Sequence, residues 1–151
     1  MDQASIFYQS STLDLVHAHY KCDLPSGKWQ KQSSTVVNDS IINDGHLDMK
    51  AASRLAIVFT RTDRQAGYSV FFEDSSNHIT QLQWTTDNPL RWTVQQVQAG
   101  AVLAAGAMGA TYDPLSQRTV VVTSGGAEMQ ISEQGENGQW TTCKQQHPRP
   151  E

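Results

Sequence analysis

The chain has 151 residues, a formal net charge of −4 and 38% hydrophobic residues; this fits one domain of roughly 100–200 residues with enough apolar material for a core. Its Lys and Arg are scattered, so no clustered basic face offers itself to nucleic acid, and no apolar run approaches the roughly 18 residues that span a bilayer. The start, MDQASIFYQSS, has neither a basic n-region nor an apolar h-region, so a cytoplasmic protein without a signal peptide is expected.

In chain order, the first unit covers about 1–36. It runs as SIFYQSSTLDLVHAHY to GKWQ and ends at Trp29. A polar stretch at 31–50, KQSSTVVNDSIINDGHLDMK, reads as an insertion whose Val36-Val37 and Ile41-Ile42 pairs are placed to cover an open sheet edge. The second unit, about 50–98, presents SRLAIVFT, YSVFFED, HITQLQW and RWTVQQV as four strands around Trp92. The third, about 101–145, repeats them as AVLAAGAMGATY, RTVVVTS, AEMQISE and QWTTCKQ around Trp140. A tail at 144–151, with two prolines, is expected to be loose.

The copies support one another. Ser5–Tyr20 aligns without a gap on Ser69–Trp84, pairing Phe7 with Phe71 and Leu15 with Ile79, and Leu55-Ala56 finds an echo in Leu103-Ala104. Repeats of roughly 40–50 residues made of short strands belong to arrays such as propeller blades. The expected fold is therefore all-β and β-propeller-like, with about three four-stranded blades, the first lacking its opening strand. Such an array leaves sheet faces open, so completion to six blades as a homodimer is expected, with a longer polypeptide or a twisted sandwich as the other solutions.

Few residues carry chemistry by spacing alone. His17 and His19 share a strand face, but no third ligand at suitable spacing joins them, so no metal is assigned. Cys22 and Cys143 lie in different units without a CxxC motif and read as reduced thiols. Glu73 and Asp74 point to opposite faces of a strand and cannot act together. No nucleophile elbow, phosphate loop or dinucleotide fingerprint occurs, so catalytic residues are not assigned and no cofactor is expected. Asn38-Asp39-Ser40 matches a glycosylation acceptor but reads as a polar loop.

The order of a strand ending in two aromatics and Gln or Glu, a Ser/Asn turn, an amphipathic strand ending in Trp, and a later Gly-x-Trp resembles the fungal and bacterial fucose-specific lectins, which are six-bladed propellers. YSVFFEDSSNHITQLQW carries the resemblance best. In that family a sugar sits between neighbouring blades, held by an Arg, a Glu and a Trp. Carried over, the Trp positions are Trp29, Trp92 and Trp140. The arginine position falls on Ile6, Val70 and Arg118, and the glutamate position on His17, Gln81 and Gln130, so only the third unit offers a near-complete set. The resemblance implies a lectin-like protein that binds a sugar through Trp29, Trp92, Trp140, Arg118, Gln130, His17 and Gln81. Loss of the charged residues supports a second reading, an enzyme that acts on a hydrophobic small molecule. A cyclase or pericyclase of fungal secondary metabolism suits it, because holding reactants in place does much of that chemistry, with His17 or Gln81 donating to a developing oxyanion.

Overall fold

A computed structural model describes residues 3–40, 47–62, 65–97, 107–125, 128–135 and 137–146. Eleven strands form three antiparallel sheets, each of neighbours in sequence. Sheet 1 holds β1 (Gln3–Gln9), β2 (Leu15–Asp23) and β3 (Lys28–Val36). Sheet 2 holds β4 (Leu55–Arg61), β5 (Ala66–Glu73), β6 (Ile79–Thr85) and β7 (Thr93–Gln96). Sheet 3 holds β8 (Met108–Asp113), β9 (Arg118–Gly125), β10 (Glu128–Gln134) and β11 (Trp140–Gln146). The chain is all-β and propeller-like, and among the described residues sheet 1 has three strands where the other two have four.

The repeat survives down to single hydrogen bonds. In the β1–β2 turn Ser10 N donates to Asp14 O and Leu13 N to Ser10 O; in the β5–β6 turn Asp74 N donates to His78 O and Asn77 N to Asp74 O. Ser10 Oγ and Asp74 Oδ1 each accept from the amides two and four residues on. Leu13 and Asn77, which match in the alignment, both have positive φ, 67° and 61°. Asn tolerates that conformation and Leu does not, so the first copy keeps the turn at a cost.

Alternation along the strands gives each sheet two apolar faces, and stacking buries them. One face of sheet 2 (Val70, Phe72, Leu82) packs with Trp92 on Phe7 and Leu15 of sheet 1. Its other face (Phe71, Ile79, Ala56, Val58) meets Val121 and Trp140 of sheet 3. The stretch expected to be an insertion is partly strand, since β3 continues to Val36. Beyond β3 three of its residues join the core: Val37, Leu47 and Met49 are buried in the cluster between sheets 1 and 2, and Leu15 N donates to Asn38 Oδ1 at 3.1 Å. Asn38 therefore belongs to a structural 3₁₀ turn, Val37–Ser40, instead of a polar loop. Ile41-Ile42 lie outside the described residues.

Two further expectations change. Leu103-Ala104 lie outside the described residues, and the residue that packs in sheet 3 as Leu55 does in sheet 2 is Met108. The expected tail starts too early, because Lys144 pairs with Gln130 inside β11. A bidentate ion pair locks one end of sheet 2: Arg54 Nη2 donates to Glu73 Oε1 at 2.7 Å and Arg54 Nε to Oε2 at 3.0 Å. Hydrogen bonds from Arg54 are the main reason that the buried Glu73 carboxyl is held below its ordinary range.

Candidate functional site

Between sheets 1 and 2 lies a cleft of about 460 Å³ walled by His17, His19, Phe59, Tyr68, Trp84 and Trp92. Strand geometry assembles it. Phe7 and His17 are direct cross-strand partners, which places His17 flat on the Phe7 ring at a centroid separation of 4.1 Å. His19, two residues on, follows on the same face, 4.2 Å from His17. From sheet 2, Tyr68 and Trp84 are likewise direct partners, and Trp92 stands 6.4 Å from Trp84 and edge-on to Phe7 at 5.9 Å. Trp84 is fixed by its Nε1 donating to Pro89 O at 3.0 Å.

Burial first, then the neighbouring His19, pushes the His17 pKa down to about 4, so at neutral pH the ring is uncharged. His17 Nε2 is buried without a hydrogen-bond partner. Ser5 Oγ links the sheets, 3.4 Å from His19 Nδ1 and 3.2 Å from the Tyr68 hydroxyl. Among the described residues no group of three His, Cys, Asp or Glu is placed to hold a metal.

The residues expected from the sequence scatter over several places. Trp92, 6% exposed, lies at the cleft. Trp140, 7% exposed, is packing between sheets 2 and 3, edge-on to Phe71 at 5.7 Å. Trp29, 51% exposed, is on the face of sheet 1 that points away from sheet 2, as shown by its pairing with Cys22. Gln81 is buried on the sheet 3 side of sheet 2, where its Nε2 donates to Ser69 Oγ at 3.0 Å, so it is not in one cleft with His17.

The expected set of Arg118, Gln130 and Trp140 does not form. β9 and β10 are joined by two residues and pair Gln130 with Thr123, so Gln130 lies on the Val121 and Trp140 face while Arg118, with Val120 and Val122, lies on the other. Gln130 is buried, and Arg118 instead donates from Nη1 to Glu133 Oε1 at 2.7 Å on the exposed face. Arg118 is thus not the counterpart of Ile6 and Val70, which face the preceding direction. Tyr68 and Phe59 were missed as cleft residues. Their alternation with Trp84 across β4–β5–β6 was the available signal.

No family model matches the chain, and no curated protein matches it. Among solved structures it is similar to a triple arginine-to-alanine mutant of AofleA, a lectin from the fungus Arthrobotrys oligospora, with a TM-score of 0.62 at 13% sequence identity. The match covers 95% of this chain and 38% of that one, so the chain spans well under half the length of the protein it resembles. At that identity the likeness is one of fold, a lectin-like array of β-sheets.

Proposed function

We propose that the chain is a lectin-like carbohydrate-binding protein and that the cleft between sheets 1 and 2 takes a sugar ring with an apolar face, fucose being the first candidate. The observation that carries this is the cleft itself: Tyr68, Trp84 and Trp92 offer aromatic faces to ring C–H groups. The likeness in fold to a lectin supports the reading without supplying the ligand. Binding by neutral groups is expected to be weak, since it lacks charge-assisted hydrogen bonds. A fucosylated glycan array followed by titration calorimetry with free L-fucose tests it. Binding that is competed by fucose and abolished by Trp84→Ala supports the reading; a silent array overturns it.

A second reading rests on one feature of the same cleft, the neutral His17 ring among aromatic walls. Such a lining suits a hydrophobic small molecule. Quenching of tryptophan fluorescence by an aromatic compound, indifferent to fucose and lost in Trp84→Ala, would favour it.

A further inference from the structure

Each sheet is an antiparallel meander of neighbours in sequence, so the turns β2–β3, β4–β5, β6–β7, β8–β9 and β10–β11 open at one end of the strands and β1–β2, β5–β6 and β9–β10 at the other. The sheets also run in the same sense. At both junctions the Trp that starts the last strand or precedes it stands edge-on to the matched Phe, Trp92 on Phe7 at 83° and Trp140 on Phe71 at 87°. Across the first junction Ser5, near the start of β1, lies 3.2 Å from the hydroxyl of Tyr68, near the start of β5. Across the second, Gln95 Nε2 donates to Gly138 O in the β10–β11 turn. The first set of turns therefore shares one end of the array.

That end collects the exposed apolar side chains. Among the described residues, the large apolar side chains more than half exposed are Leu115 at 95%, Leu90 at 82%, Leu24 at 63%, Phe59 at 53% and Trp29 at 51%. All of them lie in or beside turns of the first set: Leu24 and Trp29 at β2–β3, Phe59 two residues before the end of β4, Leu90 at β6–β7 and Leu115 at β8–β9. Each leucine also has an exposed proline beside it, as Leu24-Pro25, Pro89-Leu90 and Pro114-Leu115. One turn of every sheet thus ends in a stiffened apolar tip. A single exposed leucine needs no explanation, but a matched set at one end of three sheets does.

We propose that this end seats on a lipid surface, with the leucine tips inserted at the acyl boundary and Trp29 at the level of the headgroups. The tips project from separate turns instead of forming one continuous patch, which suits a medium that closes round each of them. Charge agrees with a phospholipid surface. Lys21, Lys28, Arg61 and Arg91 flank the tips, and none has an ion-pair partner among the described residues. Of the acids at the same end, Asp23 and Asp113 accept hydrogen bonds from Ser26 and Ser116 inside their own turns, and Glu133 is paired with Arg118. Although the chain carries a net charge of −4, the described residues of this end hold no excess of acid, and basic side chains beside an apolar tip meet headgroup phosphate.

Phe59, Pro89 and Leu90 also line the cleft between sheets 1 and 2, so the seated chain holds the mouth of the cleft against the headgroup layer. That the cleft then takes a lipid-borne sugar rests on the carbohydrate reading; the seating itself does not.

Flotation with vesicles of phosphatidylcholine and a minor fraction of phosphatidylserine, free of glycolipid, separates the two. The protein is expected to float with the vesicles. Leu24→Ser combined with Leu115→Ser, both outside the cleft, is expected to weaken partition ~100-fold with unchanged far-UV circular dichroism, roughly tenfold for each leucine side chain withdrawn from the lipid. Leu13→Asn, in the β1–β2 turn at the opposite end, is expected to leave partition unchanged. Lipids brominated along the acyl chain are expected to quench the emission of exposed Trp29, and Trp29→Phe to remove that quenching. A chain that does not float overturns the proposal and leaves the tips to a protein partner. Flotation that survives the double substitution, or that occurs without quenching by brominated lipid, overturns insertion of the tips. Flotation together with a silent glycan array supports the seating and overturns the carbohydrate reading alone.

Discussion

His17 is the group through which acid should loosen the junction between sheets 1 and 2. Its pKa falls from the ordinary 6.5 to about 4 in the folded chain, because burial disfavours the imidazolium and His19 is adjacent. The unfolded chain thus binds a proton that the folded chain refuses, and stability is lost as pH drops from about 6.5 towards 4. At 1.36 kcal/mol per pKa unit the loss is capped near ~3 kcal/mol. The ring is partly open to the cleft, so solvent screening reduces the expectation to roughly 1–2 kcal/mol. His17→Gln, which installs the residue that the second unit carries as Gln81, removes this titration while keeping a neutral polar group. Urea unfolding followed by circular dichroism at pH 7 and pH 4.5, for both proteins, gives the double difference. The variant is expected to lose roughly 1–2 kcal/mol less than the parent on acidification. Equal losses in the two proteins would refute the assignment of a low pKa to His17.

Trp92→Ala and Trp140→Ala are each expected to cost about 3–5 kcal/mol in urea unfolding, and Trp29→Ala under ~1 kcal/mol in monomeric protein, because the first two fill junctions and the third is half exposed. Glu73→Gln should cost about 2–3 kcal/mol at pH 7 by breaking the bidentate pair with Arg54. Its pKa is lowered on folding, so this contribution is full above the ordinary 4.5 and fades as pH falls below it; thermal melts of the two proteins should converge in acid. Neither amide atom of buried Gln130 finds a hydrogen-bond partner, so Gln130→Met is expected to stabilise by roughly 1–2 kcal/mol, read as a raised urea midpoint. Leu13→Asn, which copies the residue at Asn77, should gain roughly 0.5–1 kcal/mol by relieving the positive φ, and a loss in the same assay would argue against turn equivalence.

Strands and sheets were legible because they derive from local rules: period-two alternation, and a turn whose Ser10 or Asp74 cap recurs at matched positions. The site was less legible because it depends on register. Gln130 was expected beside Arg118, yet a two-residue connection from β9 to β10 pairs it with Thr123 and turns it to the opposite face. Counting residues between landmarks cannot reveal such a flip, since one residue of difference in a hairpin exchanges the two faces. Trp29, Trp92 and Trp140 look alike in sequence and differ in burial, because Trp92 and Trp140 pack on a Phe of the preceding sheet while, among the described residues, no sheet lies against Trp29.

The two internal junctions share one packing scheme and differ in what lines them. Both keep the Trp-on-Phe contact, so that pair sets how the sheets stack. What differs is one strand of the preceding sheet, β2 at the first junction and β6 at the second. His17 and His19 line an open cleft at the first junction, whereas at the second Gln81 is sealed in and held by Ser69. Sheet 3 differs again, placing Glu133, paired with Arg118, on its exposed face. At the first junction His17 of β2 lies flat on Phe7, so its ring is part of the packing that holds the Trp–Phe contact. One architecture thus accommodates different linings: aromatic side chains and two histidines at the first junction, a buried amide at the second.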